Sequence, residues 1–214
     1  MVKIVRIMPN RRLRRLRRRE LPVSTARLAR FLIGKTLVRE LAEGRLMGRI
    51  VETEAYLTGD AAAHTFRGPT PRNRSLYLER GHAYVYFTYG NHFMLNVSGG
   101  HDGTGEGVLI RAVEPIEGIE RMEDHRQTKN LKDLARGPGR LASAFRIDKR
   151  LDGLDLMTHE SLWLGTALKR TRGIGTSVRI GITKEVHRQL RFYELGSEFV
   201  SGPKRLGAKT AEKD

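Results

Sequence analysis

The chain has 214 residues, enough for one domain with a sizeable core. Apolar residues make up 39%, and with 23 glycines the share reaches about half, a globular level that excludes global disorder. Forty Lys and Arg against 24 Asp and Glu leave +16, which points to a polyanionic partner, nucleic acid or an acidic membrane face, while the lack of Cys excludes disulfides, thiolate nucleophiles, cysteine-ligated zinc and iron–sulfur clusters.

The N-terminal stretch is the most basic part. Lys3, Arg6, Arg11, Arg12, Arg14, Arg15, Arg17, Arg18 and Arg19 give residues 1–19 a charge of +9, leaving +7 for the rest. Like charges this dense repel, so residues 1–20 are predicted to be a disordered arm. Leu13 and Leu16 would share a helix face once phosphates neutralise the arginines. Three roles stay open for the arm: a phosphate tether, a nuclear or organelle address, or a solvated tail. Residues 21–202 form the body, and the polar, basic stretch 203–214 reads as a frayed tail. No apolar run approaches the roughly 18 residues of a membrane span, and the start lacks the apolar core of a signal peptide. The expected home is intracellular: cytoplasm or nucleoid in a bacterium or archaeon, the nucleus in a eukaryote.

Ser24 or Thr25 caps a predicted helix with Leu28, Phe31 and Leu32 on one face and Gly34 as its stop. Strands at 36–41 and 46–56 flank a turn holding Gly44. Residues 57–75 are a loop too long to be idle in a compact domain. A second hairpin spans 82–89 and 93–98 around Gly90-Asn91. Residues 108–113 read as a buried strand, 119–127, 131–136 and 140–145 as helices, and 178–182 and 191–194 as short strands. The fold class is α+β, one mixed domain with a curved, largely antiparallel sheet.

Four features need explanation. In 49–56, Ile50, Glu52, Glu54 and Tyr56 alternate with Val51, Thr53 and Ala55. Carboxylates two apart on a strand lie roughly 6.6 Å apart, a spacing that suits a metal, an acid/base pair or, on pattern alone, a solvated edge. Tyr84, Tyr86 and Tyr89 place three of six tyrosines in one hairpin. Tyr89, beside the tip, is either a wedge between bases or an ordinary cross-strand contact. Asn96 and Arg111 interrupt apolar strands, so each must be paired or face a site. The seven His form no HExxH or i, i+4 pair, there is no Walker loop, and Gly103-Thr-Gly105-Glu-Gly107 lacks dinucleotide spacing. No metal or organic cofactor is expected.

Read in order, Ile50-Val-Glu52-Thr-Glu54-Ala-Tyr56-Leu, Asp60-Ala-Ala-Ala-His64, Thr70-Pro-Arg-Asn73, Tyr84-Val-Tyr86-Phe-Thr-Tyr89-Gly90, Asn96 and Leu109-Ile-Arg111-Ala-Val-Glu-Pro115 closely resemble the alkyladenine (3-methyladenine) DNA glycosylase family. The similarity runs from about Leu28 to Ser201 and includes Gly137-Pro-Gly-Arg-Leu141 and Arg191-Phe-Tyr193. The Arg-rich arm lies outside it.

The resemblance implies a hairpin that enters the minor groove of double-stranded DNA carrying a damaged purine. Tyr89 would fill the gap left by the extruded nucleotide. Tyr56, His64 and Tyr86 would stack on the flipped base, whose cationic alkylated forms favour aromatic faces. Glu54 would be the general base for a water attacking C1′, and Arg111 would hold that water and the 3′ phosphate. Asn96 would crowd the exocyclic amine of normal guanine. Arg72, Arg74 and Arg140 would meet the DNA backbone, and the protein would act as a monomer. Glu52 receives no role. Asn91-His92-Phe93 makes the hairpin tip more polar than is usual in the family. No lysine stands out as a Schiff-base nucleophile, so strand cleavage is not expected. Two other readings compete: a non-catalytic nucleic-acid binder using the arm and the tyrosine hairpin, and a metal-dependent phosphoesterase built on Glu52 and Glu54.

Overall fold

The structure is a computed structural model that describes residues 12–88 and 90–202. Its described strands are β1 (Thr36–Leu41), β2 (Gly44–Tyr56), β3 (Ala83–Thr88), β4 (His92–Gly99), β5 (Glu106–Glu117), β6 (Leu162–Gly165), β7 (Ile174–Ser177) and β8 (Arg191–Glu194). They make one sheet in the order β3-β4-β5-β2-β1-β6, with β8 pairing β2 and β7. Every ladder is antiparallel. The sheet curls into a half-barrel within one α+β domain. Residues 154–156 help close the curl: Ala83 N–H bonds Leu154 O, and Leu164 N–H bonds Leu156 O, joining the outer strands β3 and β6.

The long strand β2 is the axis of the sheet. One edge carries β5; the other carries β1 over its first half and β8 at Glu52–Glu54. Its apolar residues feed the main core on one face, where α1 (Thr25–Leu32) lies. Leu28, Ala29 and Leu32 are fully buried there, at about 1.5–3 kcal/mol per leucine side chain. Thr53 Oγ1 donates to Ala29 O at 2.9 Å, tying helix to strand. Gly34 ends the helix at φ +84°, where a Cβ would stand 2.4 Å from Thr171 Oγ1.

Period-2 alternation fails at one point. Opposite β5, β2 shifts register between Ile50 and Glu52, leaving Val51 without a direct partner, and shifts back between Glu52 and Thr53, leaving Arg111 without one. Ile50 therefore joins Ala55 in the main core, whereas Val51 packs with Ala112, Tyr193 and Val200 on the other face. The sequence pattern placed Ile50 with Glu52, Glu54 and Tyr56; the bulge moves it away and keeps the other three together.

β1 and β8 lie where the sequence placed them, and β2 starts earlier because Leu41 pairs with Gly44 across a two-residue turn. Residues 178–182 are not a strand. The strand is β7, just before them, and the Ile180 N–H leaves the ladder for Glu54. The predicted helix at 131–136 is a single 3-10 turn, Leu131–Asp133. α2 (Ile119–Arg126) and α3 (Pro138–Ala144) complete the helices, with Pro138 at the first turn of α3. Gly139 lets α3 approach the β3–β4 hairpin, since a Cβ would stand 2.9 Å from the His92 ring.

The expected arm is divided. Residues 1–11 lie outside the described residues, as does the tail 203–214. Residues 12–20 instead run along the β6 edge. Leu16 is buried and its N–H bonds Leu164 O, while Thr166 N–H bonds Arg14 O. Arg18 pairs with Asp155 at 2.7 Å, and Arg15 lies 5.0 Å over Trp163. Backbone pairing and one buried leucine offset the repulsion that argued for disorder. Among the described residues no helix is long and apolar enough to cross a membrane.

Candidate active site

Leu109 pairs with Glu54, and alternation along β5 puts Arg111 on the same face as Glu52, Glu54 and Tyr56, opposite the core residues Val108 and Ile110. Both carboxylates have no solvent exposure, so the solvated edge suggested by pattern is overturned. Burial is tolerable because each finds donors. Glu54 Oε2 accepts from the Tyr56 hydroxyl at 3.0 Å and from Arg111 Nη1 at 3.2 Å, and Oε1 accepts from Ile180 N–H at 2.8 Å. Glu52 accepts from Arg111 Nε, Arg191 Nε, Ser201 N–H and Ser201 Oγ.

The two carboxylates are held differently. Glu52 accepts three bonds on Oε1 and one on Oε2, all from the Arg111, Arg191 and Ser201 cluster. Glu54 accepts two on Oε2 and one on Oε1, and one of its donors, Tyr56, lines the neighbouring cleft. Burial pushes the Glu54 carboxyl above its ordinary pKa, opposed by the Arg111 charge and the Ile180 amide and assisted by neighbouring Glu52. The Tyr56 hydroxyl is pushed up by burial and by Glu54, so it stays protonated and donates. Arg111 loses to burial but is raised overall by Glu54 and Glu52, and it stays cationic.

Tyr56 also opens onto a cleft of about 350 Å³ lined by His64, Tyr84, Tyr86 and Asn96, with Lys184 exposed at its rim. That volume suits a small planar ligand. Tyr84 and Tyr86 stack at 5.3 Å, and His64 meets Tyr86 edge-on at 4.4 Å. His64 Nδ1 lies 2.9 Å from the Tyr84 hydroxyl. Burial, with the Arg72 charge, lowers the His64 pKa, so the ring is neutral near neutral pH. Asn96 Nδ2 donates to Tyr84 O at 3.3 Å, and its side chain faces the cleft.

Two supports hold this wall. Asn73 donates to His64 O and Gly68 O and accepts from Thr70 N–H, organising the 64–73 loop from its centre. Arg179 and Asp60 form a buried bidentate pair, and Arg179 also donates to Ala55 O and stands 4.6 Å over the Tyr56 ring.

Thus Glu54, Arg111 and Tyr56 converge, and Tyr56, His64, Tyr86 and Asn96 share one cleft. Tyr89, which follows β3 in the sequence, lies outside the described residues. Arg72 donates to Phe87 O at 3.0 Å and lies 5.8 Å over Tyr86; Arg140 pairs with Asp133 at 2.9 Å; Arg74 is exposed. Sequence reasoning missed Tyr84 as a wall, the Asp60–Arg179 pair, and Arg191, Ser201 and Ile180 as supports. Arg191 was marked only by its place in the motif Arg191-Phe-Tyr193, at the start of β8. Among the described residues no group of three or more His, Asp or Glu is arranged to hold a metal ion.

A family model described as methylpurine-DNA glycosylase matches residues 19–198. A similar protein from Mesorhizobium japonicum is 63% identical over 189 residues, covering 88% of this chain and 91% of that one. One from Paraburkholderia phytofirmans is 50% identical over 191 residues, covering 89% and 90%. One from Methanoculleus marisnigri is 43% identical over 180 residues, covering 83% and 93%. Each bears the name "Putative 3-methyladenine DNA glycosylase".

Proposed function

The chain belongs to the methylpurine-DNA glycosylase family, and we propose that it takes an alkylated or deaminated purine out of duplex DNA and hydrolyses its N-glycosidic bond with a water activated by Glu54. The observation that carries this reading is a buried carboxylate, Glu54, held by Arg111 and the Ile180 amide and bonded to Tyr56 on the wall of an aromatic cleft. A water hydrogen-bonded there gives its proton to Glu54 as its oxygen bonds to C1′. The glycosidic electron pair leaves with the purine. A cationic 3-methyladenine or 7-methylguanine departs as the neutral base, whereas hypoxanthine must gain a proton. The sugar passes through an oxocarbenium-like state that the Glu54 charge stabilises, and a positioned base contributes about 10²–10⁴-fold.

The cleft selects by charge and shape. Tyr56, Tyr86 and neutral His64 offer π faces to a cationic ring. A protonated histidine would repel such a base, so the lowered pKa of His64 favours it. Asn96 crowds the amine of normal guanine. The β3–β4 hairpin enters the minor groove, with Tyr89 in the gap left by the extruded nucleotide, at an unstacking cost of a few kcal/mol that is least for damaged pairs. Arg74 and Arg140 reach phosphates, and Arg72, turned onto Tyr86, reaches them from the rim of the cleft. One chain supplies every group, so no second copy is required.

The test is a duplex panel carrying 3-methyladenine, 7-methylguanine, hypoxanthine, ethenoadenine or uracil. Free base is expected from the purine lesions, with an intact abasic strand and no borohydride-trapped adduct on Lys184. Glu54→Gln should still bind the lesion duplex and release no base. Undiminished release by that variant would remove Glu54 from the mechanism, and binding without release by the unaltered chain would make it a binding protein.

A further inference from the structure

Glu52 is a fully buried carboxylate that the mechanism above does not use. We propose that Glu52 is a positioning residue for base release: together with Arg191 and Ser201 it fixes the plane of Arg111, and Arg111 in turn holds Glu54. The inference rests on the reading of Glu54 as the base.

The geometry is a clamp. Arg111 Nε bonds Glu52 Oε1 at 3.0 Å, Nη1 bonds Glu54 Oε2 at 3.2 Å, and Nη2 lies 3.4 Å from Ser201 Oγ. Three positions around a planar guanidinium are thereby pinned, which a flexible ammonium could not reproduce. Glu52 is itself held from the far side. Arg191 Nε reaches Oε1 at 2.7 Å, Ser201 Oγ reaches the same oxygen at 2.9 Å, and Ser201 N–H reaches Oε2 at 2.6 Å. Arg191 is anchored in turn by Ser177 Oγ at 3.0 Å and Ser201 O at 2.7 Å. Phe199 and Val200 seat this C-terminal segment against Val51, Ala112 and Tyr193.

Two acids and two arginines balance in charge inside this network. A stabilising ion pair would need only one acid and one base. Here the single guanidinium of Arg111 bridges both carboxylates, so any movement of Glu52 is transmitted to Glu54. Alternation along β5 from Leu109, the partner of Glu54, puts Arg111 on the carboxylate face within reach of both acids.

The decisive experiment measures lesion-duplex affinity, single-turnover base release and its pH profile in the full chain and its variants. Glu52→Gln should hold affinity within about threefold while release falls about a hundredfold, as expected for a misaligned catalytic group. The acid limb should move to lower pH. The charged and titratable groups facing Glu54 are Glu52 and Tyr56 from β2 and Arg111 from β5, with Arg179 stacked over Tyr56 from the 178–182 segment, and only the repulsive charge of Glu52 is removed. Ser201→Ala, which keeps every charge, should lose release severalfold with unchanged affinity.

If Glu52→Gln fails to fold, the double variant Glu52→Gln with Arg191→Gln, which is charge-balanced, carries the same test and should remain slow. Full release by a folded Glu52→Gln, recovery in the double variant, or an equal fall in affinity and rate with an unmoved acid limb would each overturn the proposal. Glu54→Gln separates the two readings. If it is inactive while Glu52→Gln is normal, only the role of Glu52 fails; if Glu54→Gln releases base, the reading of Glu54 itself fails.

Discussion

At the scale of single residues, the site sets one carboxylate against opposing influences. Burial and Glu52 favour the protonated form of Glu54, while Arg111, the Ile180 amide and the Tyr56 hydroxyl favour the ionised form, and the balance lies above the ordinary value. A general base acts only when ionised. Base release should therefore fail, as pH drops, at a pH above the ordinary carboxylate range of about 4.3. Arg111→Gln removes the largest opposing charge, so Glu54 should hold its proton to still higher pH and the acid limb should move upward, with a slower plateau. Single-turnover profiles on a lesion that is stable across the range check this. A limb that stays fixed in Arg111→Gln would mean that another group limits the rate in acid. The neutral state of His64 has the same physical origin as the shift at Glu54, namely burial beside a charge.

At the scale of elements, the irregular segments matter more than the strands. Residues 178–182 deliver the Ile180 N–H to Glu54, and the Arg179–Asp60 pair holds them there. Neither side chain of that pair is exposed. Asp60→Asn would leave the Arg179 charge buried without its counter-ion, at about 3–5 kcal/mol, or roughly 6–20 °C in melting temperature for a domain of this size. Base release should fall with it, because the amide leaves Glu54. A melting change within about 1 °C would place the pair with weak surface bridges. These elements also show why local pattern is legible and long-range pairing is not. β1 and the tyrosine hairpin follow from alternation and short turns. The 178–182 segment also alternates like a strand, but its partners Glu54 and Asp60 are 126 and 119 residues away. Glu52 and Glu54 read as a solvated edge because Arg111, Arg191 and Ser201 lie between 57 and 149 residues from them. An inserted bulge residue leaves no trace in a period-2 pattern, so the displacement of Ile50 was invisible. The family motifs nevertheless pointed to Glu54, Tyr56, His64, Tyr86, Asn96 and Arg111, which the fold brings together.

At the scale of the whole molecule, the net charge of +16 is not one feature. Arg14 bonds Glu20, Arg15 donates to His159 O, and Arg18 bonds Asp155 and Arg80 O, so half of the arginines in residues 12–19 serve the fold. Leu16 adds a buried side chain on the same stretch. A truncation meant to test phosphate affinity should therefore end at residue 11. Removing residues 1–11 takes away Lys3, Arg6 and Arg11, and each phosphate neutralised contributes about 0.9 to the slope of log affinity against log salt. The slope should shrink by up to about 2.7, with affinity reduced most at low salt and single-turnover release at saturating enzyme unchanged. Removing residues 1–19 should instead lower the melting temperature, because Leu16 and the Arg18–Asp155 pair go with it. Titrations across a salt series with both truncations separate the two effects. An unchanged slope after removal of residues 1–11 would assign the salt dependence to the folded body, where Arg72, Arg74, Arg140 and Lys184 are the groups to test next.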